Sequence, residues 1–199
     1  MRLLDSSRTL NRRAWFRLLA AIGLVMFGSL SMTAIGGLAV VSQDEFKVTT
    51  VYLVRHAEKA AAPAADPPLT EAGTKRAEEL VRTLSKAGIK TISTSQFLRT
   101  KHTAEPLAKQ LGVPNTVIPV KMDTMNTRAL SPDYLKQISD LIASSAGNVL
   151  IVGHSNTVPE LIKALGGDNV PTIDDATYDD LFVLTVYAKG KAKVAHLKQ

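Results

Sequence analysis

The sequence predicts an α/β fold, a three-layer αβα sandwich whose mostly parallel sheet has an antiparallel edge. Residues 48–54 and 148–153 are short runs of β-branched and other apolar residues, typical of strands buried on both faces of a parallel sheet. Helical patterns closed by glycine alternate with these strands. Residues 180–188 and 191–197 alternate around Lys189-Gly190 and predict a hairpin at one edge of the sheet.

The remaining elements continue the alternation of strand and helix. Short strands are predicted near 91–94 and 116–120. Helices are predicted over about 70–87, 100–111 and 158–165, and from Ser131 onward. The helix at Ser131 has the clearest start, because serine is a favoured N-cap and Pro132 and Asp133 suit a first helical turn.

Composition and charge exclude several function classes. The chain has 199 residues and no cysteine, so disulfides, thiolate nucleophiles and cysteine-ligated metals are excluded. The formal net charge is +6, but five arginines and one aspartate within residues 1–17 supply +4 of it. The remainder carries no dense basic patch or nucleic-acid motif, so we expect no nucleic-acid partner.

The N-terminal part predicts a membrane-directed segment. Residues 18–41 carry no charge and would span about 36 Å as a helix, enough for a bilayer core. The arginines before this segment predict a cytoplasmic leader at 1–17 and a domain at 42–199 on the other side of the membrane. We therefore expect an exported protein, facing the periplasm or another extracytoplasmic space.

Two questions about this segment stay open at the sequence level. Small residues at 37–39 suit a signal peptidase, which would secrete the domain, whereas the length of the apolar run favours a retained transmembrane anchor. Residues 11–17 also resemble a twin-arginine export signal, and an ordinary basic leader explains them equally well. A retained segment would make the membrane a partner of the protein through residues 18–41.

Arginine and histidine residues follow three of the predicted strands. Arg55 and His56 come after the first strand, Arg99 after the second, and His154 after the strand at 148–153. Sites in open α/β sheets form at the carboxyl ends of the strands. Two arginines and two histidines at that edge predict a pocket for a phosphoryl dianion that contains a nitrogen nucleophile.

Known cofactor motifs are absent from the sequence. It contains no H-E-x-x-H, Walker A or G-x-G-x-x-G pattern, and the segment around Ser155 does not form a G-x-S-x-G nucleophile elbow. We therefore expect neither a metal nor a nucleotide cofactor. His102 and His196 have no basic partner at a strand end and are interpreted as ordinary polar residues.

Four segments resemble the ordered motifs of the histidine phosphatase superfamily, in its phosphoglycerate-mutase-like branch. They are VYLVRHAEK, LTEAG, TSQFLRTKHTAEPLA and VLIVGHSNTVPEL. The resemblance implies that His56 is the nucleophile that becomes phosphohistidine, and that Arg55, Arg99 and His154 bind the phosphoryl oxygens. Ala57 stands where members of the family often have glycine. The short interval between Arg99 and His154 resembles the small phosphatases that lack a lid more than the larger mutases.

The resulting hypothesis is a metal-independent phosphomonoester hydrolase that acts on a small phosphorylated substrate. The alternatives are an envelope module that binds phosphorylated ligands with little or no catalysis, and a phosphohistidine-protein phosphatase. Members of the family usually place an acid between the Arg motif and the second histidine, and by position we predict Asp123 as the proton donor, with Glu58 as its rival. The physiological substrate and the oligomeric state do not follow from the sequence.

Overall fold

A computed structural model describes residues 47–124 and 129–199, which form an α/β fold with a mixed sheet. The strands are β1 (Thr49–Arg55), β2 (Ile89–Thr94), β3 (Asn115–Val117), β4 (Asn148–Gly153), β5 (Asp180–Ala188) and β6 (Lys191–Lys198). The helices are α1 (Glu71–Leu84), α2 (Leu98–Leu111), α3 (Pro132–Ser144) and α4 (Thr157–Ala164).

The six strands are ordered β3-β2-β4-β1-β5-β6. The first four run parallel, while β5 is antiparallel to β1 and forms a hairpin with β6. The predicted antiparallel edge is therefore present, and its hairpin turn falls at Lys189-Gly190. The parallel strands bring their carboxyl ends to one edge of the sheet.

The sheet has an apolar core on each face. Alternate residues of β1 and β4 belong to different clusters: Leu53 and Ile151 pack with α3 and α4, whereas Val54 and Val152 pack with α1 and α2. Side chains of a strand point alternately to the two faces, so a strand with helices on both sides must be apolar throughout. This explains the continuous apolar runs in β1 and β4 and gives the three layers that the sequence predicts.

Some predicted boundaries were wrong. The strand predicted at 116–120 ends at Val117, because the N–H of Val120 donates to the side chain of Gln96 at 2.9 Å and not to a neighbouring strand. Helix α2 begins at Leu98, two residues earlier than predicted, where the N–H of Leu98 donates to Asp66 at 2.9 Å. The predicted N-cap is confirmed, since the side chain of Ser131 accepts from the N–H of Tyr134.

The predicted leader at 1–17 and membrane segment at 18–41 lie outside the described residues. Within the part of the chain that the structure describes, no helix combines the length and apolar character needed to span a bilayer.

Candidate active site

Three neighbouring strands carry the predicted site residues to one edge of the sheet. Arg55 pairs with Gly153 in the parallel register of β1 and β4, so His56 and His154 leave adjacent strands at the same level. The N–H of His56 donates to the carbonyl of Gly153 at 2.9 Å, which ties the two strand ends together. Strand β2 borders β4 on its other side, and Arg99 follows β2 in the first turn of α2.

The imidazole of His56 is buried and held in one orientation. Its Nδ1 lies 2.8 Å from the carbonyl oxygen of Ala57. Because a carbonyl only accepts hydrogen bonds, Nδ1 carries the proton and Nε2 carries the lone pair. The N–H of Ala57 donates in turn to Oγ1 of Thr103 at 2.9 Å, and Thr103 donates to the carbonyl of Arg99, which fixes this backbone against α2.

The environment keeps His56 uncharged. Burial lowers its pKa to about 4, and the positive charges of Arg55, Arg99 and Lys59 act in the same direction, against the hydrogen bond to Ala57. An uncharged imidazole has the lone pair that a nucleophile requires. The surroundings of His56 therefore leave its imidazole with a free lone pair.

His154 lies beside His56 at the head of a chain of hydroxyl groups. The ring centroids of the two histidines are 5.4 Å apart, in an edge-to-face arrangement. Nε2 of His154 lies 3.0 Å from Oγ of Ser95, which lies 2.9 Å from Oγ1 of Thr100. Burial, together with the charges of Arg99, His56 and Arg55, lowers the pKa of His154 to about 3. Both imidazoles are therefore uncharged in the site.

The two arginines occupy similar environments. Arg55 is 5% exposed, and its Cζ lies 4.2 Å from the ring centroid of Tyr178. Cζ of Arg99 lies at the same distance from the ring centroid of Phe97. Each guanidinium forms a long ion pair with a carboxylate: Nη2 of Arg55 is 3.7 Å from Asp175, and Nη1 of Arg99 is 3.9 Å from Asp66.

Both arginines also have a buried nitrogen that lacks a partner. Nε of Arg55 and Nε of Arg99 make no hydrogen bond within residues 47–124 and 129–199. Buried N–H donors are normally satisfied, and a charged donor left unsatisfied is costly. Two such donors beside the neutral imidazole of His56 form a site that an oxyanion would complete.

The structure brings four of the predicted site residues together: Arg55, His56, Arg99 and His154. Asp123 lies in the segment after β3, where its N–H donates to the carbonyl of Ala129 at 2.8 Å, and its role as proton donor stays a prediction. The carboxylate of Glu58 accepts hydrogen bonds from Nε and Nη2 of Arg76, the shortest at 2.7 Å.

The other two histidines have contacts elsewhere. His196 pairs with Asp180 at 2.6 Å and stacks on Phe182, at the far end of the hairpin. His102 lines a groove between α1 and α2 with Pro68 and Glu105. Among the described residues, no group of three or more His, Asp or Glu side chains is placed to hold a metal ion.

Sequence reasoning missed the residues that support the four central side chains. Ser95 follows the end of β2 directly, and the rule that placed functional residues at strand ends would have found it. Tyr178 and the turn before it reach Arg55 from about 120 residues away in the chain, and no local pattern marks that contact. Asp66, which pairs with Arg99, lies outside the predicted strands and helices, and no local pattern marks this contact.

A family model matches part of the chain. Residues 51–123 match the family model described as histidine phosphatase superfamily (branch 1). No curated protein matches the sequence of this chain.

Solved structures extend the similarity over most of the chain. A proposed phosphohistidine phosphatase SixA from Agrobacterium tumefaciens is 25% identical with a TM-score of 0.55, covering 76% of this chain and 99% of that chain. The protein histidine phosphatase SixA complexed with tungstate is 20% identical with a TM-score of 0.57, covering 75% of this chain and 97% of its own. A mycobacterial glucosyl-3-phosphoglycerate phosphatase is 14% identical with a TM-score of 0.59, covering 76% and 98%. At 20% and 14% identity, the last two structures show only that this chain shares their fold.

The family match over residues 51–123, which hold three of the four motifs, confirms the resemblance to the histidine phosphatase superfamily and supports a phosphatase. The two solved structures below 25% identity add that the fold is shared.

Proposed function

We propose that this histidine-phosphatase-like domain is a phosphomonoesterase that works without a metal ion, through a phosphohistidine at His56. The observation that carries the proposal is the pair of buried Nε donors on Arg55 and Arg99, which flank the neutral imidazole of His56. Such donors suit a phosphoryl group, because its oxygens point in several directions and can accept from both arginines at once.

The first chemical step follows from the tautomer of His56. Nε2 attacks phosphorus and forms a P–N bond, while the bond from phosphorus to the ester oxygen breaks. The leaving oxygen takes its proton from the general acid, for which Asp123 is the predicted residue. Nδ1 remains hydrogen-bonded to the carbonyl of Ala57 and stabilises the positive charge that develops on the ring. Water then attacks the phosphohistidine and gives one proton to the same acid, now a carboxylate, while the P–N bond breaks; inorganic phosphate is released and the neutral imidazole is restored.

The cationic side chains stabilise the transition state of both steps. Charge spreads over three equatorial oxygens as the phosphoryl group moves between the leaving oxygen and Nε2. Arg55 and Arg99 are fixed before the reaction, by stacking on Tyr178 and Phe97, so little reorganisation is needed as this charge develops. The approach of an anion raises the pKa of His154, which then donates a proton or hydrogen bond to the same oxygens.

A phosphoenzyme experiment tests this mechanism. The full-length protein is incubated with an aryl phosphate in the presence of a chelator, and turnover and acid-labile phosphate on His56 are measured. We expect both to persist with the chelator and both to be lost in His56→Ala, while the matched variant His102→Ala retains them. Turnover by His56→Ala, or loss of turnover caused by the chelator alone, would contradict the mechanism.

A protein substrate is a second candidate. The structural neighbour with 25% identity is a proposed phosphohistidine phosphatase, and removal of a phosphoryl group from a histidine of another protein uses the same pocket. A direct comparison of kcat/KM on a phosphohistidine peptide and on a panel of small phosphomonoesters separates the two substrate classes. A preference for the peptide would favour the protein substrate.

We also propose that the domain faces the extracytoplasmic side. This proposal rests on the five arginines that precede the uncharged run at residues 18–41. Protease added to cells with a permeabilised outer layer should digest the domain while the inner membrane is intact. Protection until the inner membrane is lysed would reverse the topology and favour a cytoplasmic phosphohistidine-protein substrate.

A further inference from the structure

A turn distant in sequence holds the guanidinium of Arg55. Nη1 of Arg55 donates to the carbonyl oxygens of Asp174 and Thr177, at 2.6 and 2.9 Å. The ring of Tyr178 lies against the guanidinium, 4.2 Å from Cζ to the ring centroid, and 6.2 Å from the ring of His56. Because Nη1 has two protons and two carbonyl acceptors, the protein uses this nitrogen fully.

The side chain of Asp174 builds the turn that carries these carbonyls. Its Oδ1 accepts from the N–H of Ala176 at 2.9 Å and from Oγ1 of Thr177 at 2.7 Å. The N–H of Thr177 donates back to the carbonyl of Asp174 at 3.2 Å. An aspartate that bonds its own backbone two residues on is a common way to fix a turn. The carboxylate therefore sets the positions of both carbonyls that contact Arg55.

This arrangement decides which edge of Arg55 is available. A guanidinium offers its N–H groups in fixed pairs, and the pair formed by Nε and Nη2 suits a bidentate contact with a phosphoryl group. Nε of Arg55 is buried and has no partner among the described residues. The Oδ1 of Asp175 lies 3.7 Å from Nη2, beyond hydrogen-bonding distance. The Nε–Nη2 edge is thus left for a ligand.

We propose that Asp174, Thr177 and Tyr178 act as a clamp that directs the Nε–Nη2 edge of Arg55 towards the phosphoryl group, which makes Asp174 and Tyr178 positioning residues. The inference rests on the proposed function, because a phosphoryl oxyanion is the ligand for that edge. The carbonyls of Asp174 and Thr177, held by the carboxylate of Asp174, prevent the guanidinium from rotating within its plane. The ring of Tyr178 lies against the face of the guanidinium and fixes the tilt of that plane.

Tungstate affinity of the full-length protein tests the clamp without requiring turnover. We expect Asp174→Ala and Tyr178→Leu each to weaken tungstate binding at least about tenfold, since one bidentate charge-assisted contact is lost or misaligned. Asp174→Asn keeps an Oδ1 acceptor and Tyr178→Phe keeps the ring, so both should retain most of the affinity. Asp175→Asn is the matched control in the same turn and should change affinity by no more than about twofold, because its ion pair is exposed.

A double-mutant cycle separates positioning from general loss of structure. In the background of Arg55→Lys, which has no guanidinium edge to direct, Asp174→Ala should cause no further loss of tungstate affinity beyond about twofold. A full additional loss in that background, or unchanged affinity in both Asp174→Ala and Tyr178→Leu, overturns the clamp.

Turnover distinguishes failure of the clamp from failure of the proposed function. If the clamp variants lose tungstate affinity but the unmodified protein forms no phosphoenzyme at His56, the proposed function fails and the clamp stands as an anion-binding device. If phosphoenzyme forms and the clamp variants keep their affinity and their kcat/KM, the clamp fails and the proposed function stands.

Discussion

The rings of His56 and His154 meet edge to face, with their centroids 5.4 Å apart and their planes inclined at 63°. Two protonated imidazoles at this distance would repel each other, and both arginines of the site add to that repulsion. Burial and these charges lower the pKa of His56 to about 4 and that of His154 to about 3. The site therefore holds two uncharged histidines between two charged arginines until an anion binds.

The pH dependence of catalysis should reflect this low pKa. The acid limb of kcat/KM reports the ionisation of essential groups in the unliganded enzyme, so the limb due to His56 should lie well below 6.5, close to 4. The measurement is a pH profile with an aryl phosphate, corrected for the second ionisation of the substrate itself. An enzyme limb at 6 to 7 would show that His56 is solvated like an ordinary histidine.

The stability of the domain should also fall as the pH is lowered. Between the folded pKa values of about 4 and 3 and the unfolded value of 6.5, the unfolded chain binds more protons than the folded one. The free energy of unfolding should therefore decrease as the pH falls from about 7 towards 4. Each unit of pKa difference corresponds to about 1.4 kcal/mol, so His56 and His154 can account for several kcal/mol.

Urea unfolding at a series of pH values measures this loss. His154→Gln removes one of the two buried imidazoles and should make the free energy of unfolding less dependent on pH between 5 and 7. A steep pH dependence that persists in His154→Gln would assign the effect to other groups.

Ser95 is expected to act through His154. Its hydroxyl is the contact of Nε2 of His154, and it connects that ring to Thr100. Ser95→Ala leaves a buried ring nitrogen without its partner and should lower kcat/KM by about tenfold, since such a loss costs on the order of 1–3 kcal/mol. Ser144→Ala, which removes a hydroxyl bonded only within α3, should have no effect on kcat/KM. Normal kinetics of Ser95→Ala alongside an impaired His154→Gln would exclude this role.

Gly73, the last residue of the LTEAG segment, lies directly against the backbone of the first motif. A Cβ at this position would lie 2.2 Å from the carbonyl oxygen of Glu58, two residues after His56. Gly73→Ala must therefore push the backbone of the first motif away, and we expect a loss of about 1–3 kcal/mol or more in the free energy of unfolding. Gly112→Ala is the control, because a Cβ there meets nothing within 4 Å and only its left-handed backbone is strained, at about 1–2 kcal/mol. The clearest difference should be in activity: Gly112→Ala should retain it, whereas Gly73→Ala should lose it because the first motif is displaced.

The sequence was most informative where a local pattern has a direct structural meaning. The apolar runs of β1 and β4 predict buried parallel strands, and that topology alone brings His56 next to His154. Contacts made by extended or irregular segments could not be predicted in this way. The turn at 174–178 reaches Arg55 through backbone carbonyls, which every residue has, so its sequence carries no mark of the contact.

Glu58 is poorly suited to donate a proton to the leaving group. Burial raises the pKa of this carboxyl. Hydrogen bonds from Arg76 and from the backbone N–H of Glu58, together with the charges of Arg76 and Arg55, outweigh burial, so the pKa is lowered overall. An ionised carboxylate bound by two nitrogens of one arginine has no proton to give. Glu58→Gln should therefore slow alkyl and aryl phosphates to the same extent, by weakening the contact between the first motif and α1.

Asp123 remains the predicted proton donor, and leaving-group dependence is the measurement that tests it. Alkyl phosphates release a strongly basic alkoxide that needs a proton in the transition state, whereas aryl phosphates release a phenolate that needs little protonation. If Asp123 supplies that proton, Asp123→Asn should lower kcat/KM for alkyl phosphates by 10²-fold or more, the usual order of magnitude of general acid catalysis, and barely affect aryl phosphates. Asp133→Asn, at the start of α3, is the control and should leave both substrates unaffected. Equal slowing of the two substrate types by Asp123→Asn, or selective slowing by Glu58→Gln, would remove Asp123 from the mechanism.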